Sequence, residues 1–189
     1  ISPDSLQNPS DPDAAYGRKG KGYKASLTET CAKANPFQVI TDVALESAHA
    51  SDQKDVVPVI ERLDEIGCKP EELFADAGYG SGENILEAKE RAVSLTAPIT
   101  CGKAPAQGQM HLADFDVSDD CRVVLCCIKD HPPLECRSIG KSRVEAVFSQ
   151  EDCSRCEFLP YCPVKPGKDG NYRLRYHRKD MAVSTRRYY

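Results

Sequence analysis

The amino-acid sequence predicts an α/β fold, with elements running β-β-α-β-α-β over residues 17–101 and a cysteine-rich insertion over 102–166. Two observations lead there. Apolar residues recur at steps of two, then at steps of three and four, then again in short runs, which is the pattern of strands alternating with amphipathic helices. Seven of the ten cysteines fall between Cys121 and Cys162, and there the regular periodicity is lost. Residues 1–16, rich in Ser, Pro, Asp and Asn, predict an irregular opening segment.

Gly22 to Cys31 and Phe37 to Glu46 predict two strands joined by a turn around Ala34-Asn35-Pro36, hence a β-hairpin. From Ser51 the period lengthens, with Val56, Val59, Ile60, Leu63 and Ile66 on one face of a helix. Ser51 or Asp52 is the expected cap, Pro58 must lie in the first turns, and Gly67 ends the helix. Glu72 to Ala77 predicts a strand that follows a helix and therefore runs parallel to the strand before it through a crossover. Ser81 or Gly82 opens a second helix with Ile85, Leu86 and Ala88 inward, and Val93 to Ile99 predicts the next strand.

In the second half, Asp114 to Val117 and Arg122 to Cys127 are strand-like, and a Pro- and Cys-rich stretch follows to Pro166. Few large apolar residues occur there, so metal ligation is the expected source of order. Cys153-x-x-Cys156 followed by Cys162 has the ligand spacing of a zinc site, because a Cys-x-x-Cys knuckle turns both thiolates toward one ion. Cys126, Cys127, His131 and Cys136 are the candidates for a fourth ligand. Cys121 and Cys136 are expected to be spare, and His49 and His111 to lie on the surface.

Composition narrows the function classes. Charged residues make up 29% of the 189, and mean hydropathy is -0.50. No apolar run approaches the roughly 18 residues of a membrane span. The chain opens on Ile1 with no basic-then-apolar leader and stops inside Arg186-Arg187-Tyr188-Tyr189, so a piece of a longer cytoplasmic protein is expected. The net charge of -4 conceals an asymmetry: residues 42–92 hold 13 acids and 5 bases, and residues 165–189 hold 8 Lys or Arg and 2 Asp. The basic end also carries Tyr172, Tyr176 and His177. Residues 167–189 thus predict a basic tail, with Arg173, Arg175, Arg178 and Lys179 as candidate nucleic-acid contacts, alongside Lys19, Lys21 and Lys24 before the hairpin.

Leu73-Phe74-Ala75-Asp76-Ala77-Gly78-Tyr79-Gly80-Ser81-Gly82 places one carboxylate at a strand end, followed at once by glycines. Catalytic and binding groups of open α/β sheets gather at the carboxyl ends of strands. Gly78, Gly80 and Gly82 are expected to leave room for a bulky partner such as a metal ion or phosphate. An Asx-turn, in which Asp76 only accepts from loop amides, is the competing role.

Ser10-Asp11-Pro12-Asp13-Ala14, the run Gly17-Arg18-Lys19-Gly20-Lys21-Gly22-Tyr23-Lys24, Ile40-Thr41-Asp42-Val43, Ser51-Asp52, and Pro70 to Tyr79 resemble, in this order, the DDE transposases of bacterial insertion sequences. The resemblance covers most of residues 10–165, and its most specific part is Ala75-Asp76-Ala77-Gly78-Tyr79. It implies an RNase H-like core, partial here, with Asp76 as the second of three catalytic acids and a ligand of Mg²⁺ or Mn²⁺. It further implies double-stranded DNA as partner, a homodimer on DNA and a location at the bacterial nucleoid. Two divalent ions held by carboxylates suit strand cleavage and transfer, since they activate the attacking oxygen, stabilise the leaving oxygen and neutralise the phosphate. The first and last acids of the family fall outside this chain, which on its own is expected to be inactive. Glu145 superficially resembles the last acid, but it precedes Cys153-x-x-Cys156, the wrong order for the family; it is expected to be an ordinary exposed glutamate. Cys127-x-x-x-His131-Pro-Pro resembles the Cys-Pro-x-Gly-His-x-Pro element of these transposases, with Ile128 and Asp130 where Pro and Gly are usual. The resemblance selects Cys127, with Cys153, Cys156 and Cys162, as the Zn²⁺ ligands. The alternative function is a non-enzymatic, zinc-containing nucleic-acid-binding remnant.

Overall fold

The structure, a computed structural model, describes residues 8–11, 14–17, 20–98 and 107–186, and divides into two compact units, residues 1–71 and 72–189. The fold class is mixed α/β, with several small sheets and short helices.

In the first unit, β1 (Ala15–Gly17), β2 (Gly20–Glu29) and β3 (Ile40–Ser47) form an antiparallel sheet in that order. The predicted hairpin is present, with a bulge between Thr28 and Glu29, and its connection turns where the Asn35 amide donates to the Ala32 carbonyl. Strand alternation puts Ala25, Leu27, Val43 and Leu45 on one face, where all four are exposed, and Lys24, Ser26 and Asp42 on the other. Helix α1 (Val56–Glu65) is tied to the second face. Arg62 donates to both oxygens of Asp42 at 2.8 Å, and Lys24 pairs with Asp55 at 3.0 Å. Val56, Val59, Ile60 and Leu63 are buried as the period predicts, but Ile66 is 60% exposed. Neither expected cap serves α1. Asp55 precedes it, and its buried carboxylate is drawn off to Lys24 and Ser26 instead of capping. At the far end Gly67, at φ 72°, allows the Cys68 amide to reach the Leu63 carbonyl and the Gly67 amide to reach Asp64, the Schellman arrangement that closes a helix.

In the second unit, β4 (Glu72–Phe74) and β5 (Ser94–Thr96) pair in parallel, joined by helix α2 (Gly82–Glu90). The expected crossover pairing is corrected here: among the described residues, the parallel partner of β4 is the strand that follows it, not the one that precedes it. Ser81 caps α2 by accepting from the Asn84 amide, and Ile85, Leu86 and Ala88 are buried. Next come the antiparallel pair β6 (Phe115–Val117) and β7 (Val124–Cys127). A four-stranded antiparallel sheet, order β10-β11-β9-β8, is built from β8 (Glu135–Ile139), β9 (Arg143–Phe148), β10 (Lys165–Pro166) and β11 (Tyr172–His177). Helix α3 (Gln150–Ser154) follows β9, and α4 (Arg178–Arg186) follows β11.

This four-stranded sheet corrects the expectation that the second half buries little apolar surface. Val144, Ala146 and Phe148 of β9 and Leu174 and Tyr176 of β11 alternate onto one face and are buried; Phe115 and Phe148 meet with ring centroids 5.9 Å apart. The stretch expected as a basic tail is itself strand and helix. Tyr176 donates from its buried hydroxyl to the Cys121 carbonyl, and α4 buries Met181, Ala182 and Val183. The close approach of α4 to α2 depends on Gly82, where an added Cβ would collide with the Lys179 carbonyl oxygen.

Candidate functional site

Asp76 follows β4 by two residues, at the carboxyl end of the parallel pair, and is exposed. Its backbone is extended (φ -75°, ψ 177°), which releases the chain from the strand into a 3₁₀ turn over Ala77–Tyr79. Oδ1 accepts from the Gly78 amide at 2.8 Å, so the Asx-turn role is present. Two of the three glycines expected to make room for a ligand instead admit backbone: an added Cβ at Gly80 would strike the Pro98 carbonyl oxygen, as one at Gly82 would strike Lys179. Among the described residues, no group of three or more His, Cys, Asp or Glu side chains is placed to hold a metal ion, at Asp76 or elsewhere. One carboxylate cannot by itself supply the oxygen ligands of a divalent ion.

The cysteines of the insertion converge more closely. Cys127, Cys153, Cys156 and Cys162 all line one small cavity of about 30 Å³, together with His131, Asp152 and an apolar shell that includes Phe115, Phe148 and Phe158. The sequence places them there by local turns. Ser149 caps α3 through the Glu151 and Asp152 amides, and the Cys156 amide returns to the Cys153 carbonyl, folding the Cys-x-x-Cys segment on itself. A 3₁₀ turn over Leu159–Tyr161 then brings Cys162 back. On the other side, Cys127 closes a loop with His131, accepting from the Asp130 amide and donating its own amide to the His131 carbonyl. Asp130 takes φ 58°, a conformation that favours glycine, and it occupies the position of glycine in the resembled element. Successive residues of a strand point to opposite faces. Cys126 therefore faces away and donates to Asp116 at 3.3 Å, and Cys127 faces the cavity.

Burial pushes the Cys153 thiol up to about 11, and the neighbouring sulfurs of Cys162, Cys127 and Cys156 add to the shift. Burial also raises Cys162, against the Val164 amide, which favours its thiolate. The Cys153 and Cys162 thiols hold their protons at neutral pH in the absence of a cation. Soft sulfur donors on one apolar cavity match Zn²⁺ in chemistry, but no three of them are arranged around an ion position. Cys121 is buried, and Cys136 bridges the Arg122 carbonyl and the Val124 amide, so neither belongs to this group. His111 is not a bare surface residue: its Nδ1 caps the 3₁₀ turn Leu112–Asp114 by accepting from the Ala113 amide.

The candidate nucleic-acid contacts differ in how far their charge is already used. Lys19 lies outside the described residues. Lys21 is exposed and stands 5.9 Å from the Tyr16 ring centroid. Lys24 is held between Glu46 at 2.8 Å and Asp55 at 3.0 Å. Arg173 binds Asp169 at 2.7 Å, Arg175 binds Glu145 at 2.5 Å, Arg178 donates to the Asp120 carbonyl and reaches Glu90, and Lys179 pairs with Glu83 at 3.0 Å.

Glu145 overturns its expectation as an exposed glutamate. Its side chain is 1% exposed, with Arg137 at 2.6 Å on β8 and Arg175 at 2.5 Å on β11. The hydrogen bond from Arg175 holds its carboxyl below the usual glutamate range; burial opposes the shift and Arg137 reinforces it. The carboxylate lies close beneath the surface, roofed by guanidinium groups that reach water. The signal was available as alternation: Arg143, Glu145 and Val147 share one face of β9, and Arg173, Arg175 and His177 share the matching face of β11.

No protein-family model matches the chain, and neither the curated proteins nor the solved structures include a significant match.

Proposed function

We propose that this chain is part of a DNA transposase of the RNase H-like DDE class, with Asp76 as one of its metal-binding acids. The observation that supports the reading is the position of Asp76: an exposed carboxylate at the carboxyl end of a parallel strand pair. Oδ1 is turned toward the Gly78 amide, an orientation that holds the side chain in one rotamer. When bound, Mg²⁺ or Mn²⁺ would activate the attacking oxygen and neutralise the phosphate. Because no group of ligands large enough to hold an ion gathers at Asp76 among the described residues, the reading assigns the remaining ligands to other segments of the intact enzyme and expects no cleavage by this chain alone. The test is Mn²⁺-dependent strand cleavage by the intact protein. Asp76→Ala is expected to lower it at least about a thousandfold, the several kcal/mol that a metal contributes to transition-state charge. Unchanged cleavage would remove the assignment.

A second reading, a non-enzymatic nucleic-acid-binding protein with structural Zn²⁺, is favoured by the cavity that Cys127, Cys153, Cys156 and Cys162 share. Zinc content after purification without chelator tests it: about one ion per chain supports a four-thiolate site, and a clearly substoichiometric amount opposes it.

A further inference from the structure

The face of the four-stranded sheet turned away from the core carries three cross-strand rows. In the first, Glu135, Val147, Arg173 and Lys165 stand side by side; in the second, Arg137, Glu145 and Arg175; in the third, Ile139, Arg143 and His177. The single negative charge of Glu145 lies between the Arg137 and Arg175 guanidinium groups, with Arg173 of the first row 3.9 Å away, so the middle row retains one positive charge. Asp169 cancels Arg173, and Glu135 lies 3.7 Å from Arg137. Arg143 donates to the His177 ring nitrogen Nε2 at 3.0 Å, and among the described residues no carboxylate pairs with Arg143 or Lys165. The face therefore carries a net positive charge of about two after internal pairing, although the chain as a whole is at -4.

We infer that this sheet face is a docking surface for the phosphate backbone of double-stranded DNA. The inference rests on the transposase reading for the choice of DNA, and on charge complementarity for the surface. Glu145 acts as a positioning residue. By holding Arg137 and Arg175 on either side of one carboxylate, it fixes two guanidinium groups whose outer N–H donors remain at the surface, with the arginines 54% and 67% exposed. Planar guanidinium groups held in place lose less freedom on meeting a phosphate than flexible cations do. Arg143 and Lys165 supply the unopposed charge that makes association sensitive to salt. Four adjacent strands present these groups across a front of about 15 Å, at about 4.8 Å per strand, which suits a duplex backbone better than a peptide groove.

The experiment is binding of the 189-residue chain to a labelled DNA duplex in EDTA, followed by fluorescence anisotropy across a series of salt concentrations. The double substitution Arg143→Gln and Lys165→Gln is expected to weaken binding about tenfold and to reduce the slope of log affinity against log salt by about two. Arg143→Lys is expected to restore part of that slope. Both residues lack a carboxylate partner, so the thermal transition of the double variant should match that of the parent and exclude unfolding as the cause. Binding that persists unweakened in the double variant overturns the surface alone. Displacement of the duplex by poly-glutamate as readily as by unlabelled duplex also overturns it, in favour of an acidic protein partner. Failure of the unaltered chain to bind duplex at low salt overturns the surface and the transposase reading together.

Discussion

Asp76 and Glu145 are both carboxylates set among regular elements of the second unit, and their surroundings are opposite. Asp76 is exposed, holds one backbone amide, and has no cation beside it in any ion pair among the described residues. Glu145 is shielded from water, and guanidinium groups from strands on both sides reach it. The difference teaches that a carboxylate conspicuous in sequence is not thereby the one on which the fold depends. Asp76 is conspicuous because glycines surround it, a local property. Glu145 depends on Arg137 and Arg175, 8 and 30 residues away along the chain, and only the strand register brings the three together.

The largest expected effect separates the two directly. Glu145→Ala leaves Arg137 and Arg175 facing each other across an empty position, with Arg173 also nearby. Breaking a fully buried pair costs about 3–5 kcal/mol; here the guanidinium groups reach water, so the loss should be nearer 2 kcal/mol. Asp76→Ala, which removes one side-chain-to-amide bond at a turn, should cost under about 1 kcal/mol. Urea midpoints of the two variants compare them, and equal losses would break the contrast. A pH series sharpens it. The folded state depresses the Glu145 carboxyl, so the unfolded chain binds more protons in the acidic range. The stability contributed by this group is complete above the ordinary glutamate value of about 4.5 and is lost as pH falls through the lower folded value. Glu145→Gln should flatten that part of the acid limb.

Gly82→Ala comes next. It asks whether the glycines after Asp76 serve packing rather than a ligand. The added Cβ would meet the backbone of Lys179, which cannot turn aside as a side chain would, so α2 and α4 must separate at a cost of about 1–3 kcal/mol. A thermal transition unchanged from the parent would mean that the two helices are not held at this point.

The smallest effect is a gain. Ala92 closes α2 at φ 58°, with the Val93 amide reaching the Ala88 carbonyl as in a glycine-ended helix. Ala92→Gly should stabilise by about 0.5–1 kcal/mol: the roughly 1–2 kcal/mol that the left-handed conformation costs alanine, less the roughly 0.4–1 kcal/mol of unfolded-chain freedom that glycine adds. A loss on this substitution would show that alanine's lower unfolded-chain entropy outweighs the strain.

Elements whose signals are local were legible from the residues alone. The hairpin was marked by alternation and a turn, α1 and α2 by steps of three and four, and the α1 terminus by Gly67, since each depends on neighbours within one turn or one strand. The cap of α1 escaped such reading, because the Asp55 carboxylate is taken by Lys24, 31 residues earlier. The same reason explains β8 to β11. Their alternation is written in Arg143–Phe148 and Tyr172–His177, but scattered cysteines and a run of basic residues mask it, and the sheet is defined only when β11 returns to β9.

By itself, then, the sequence determined the α/β class, the position of Asp76 at a strand end and the Cys-x-x-Cys turn, all of which arise from interactions between residues close along the chain. Tertiary structure alone decided that Cys127 rather than Cys126 faces the shared cavity, that the basic C-terminal stretch is folded into a sheet and helix, and that Glu145 is buried. Strand pairing sets those outcomes, and a shift of one residue in register would send each of these side chains to the opposite face.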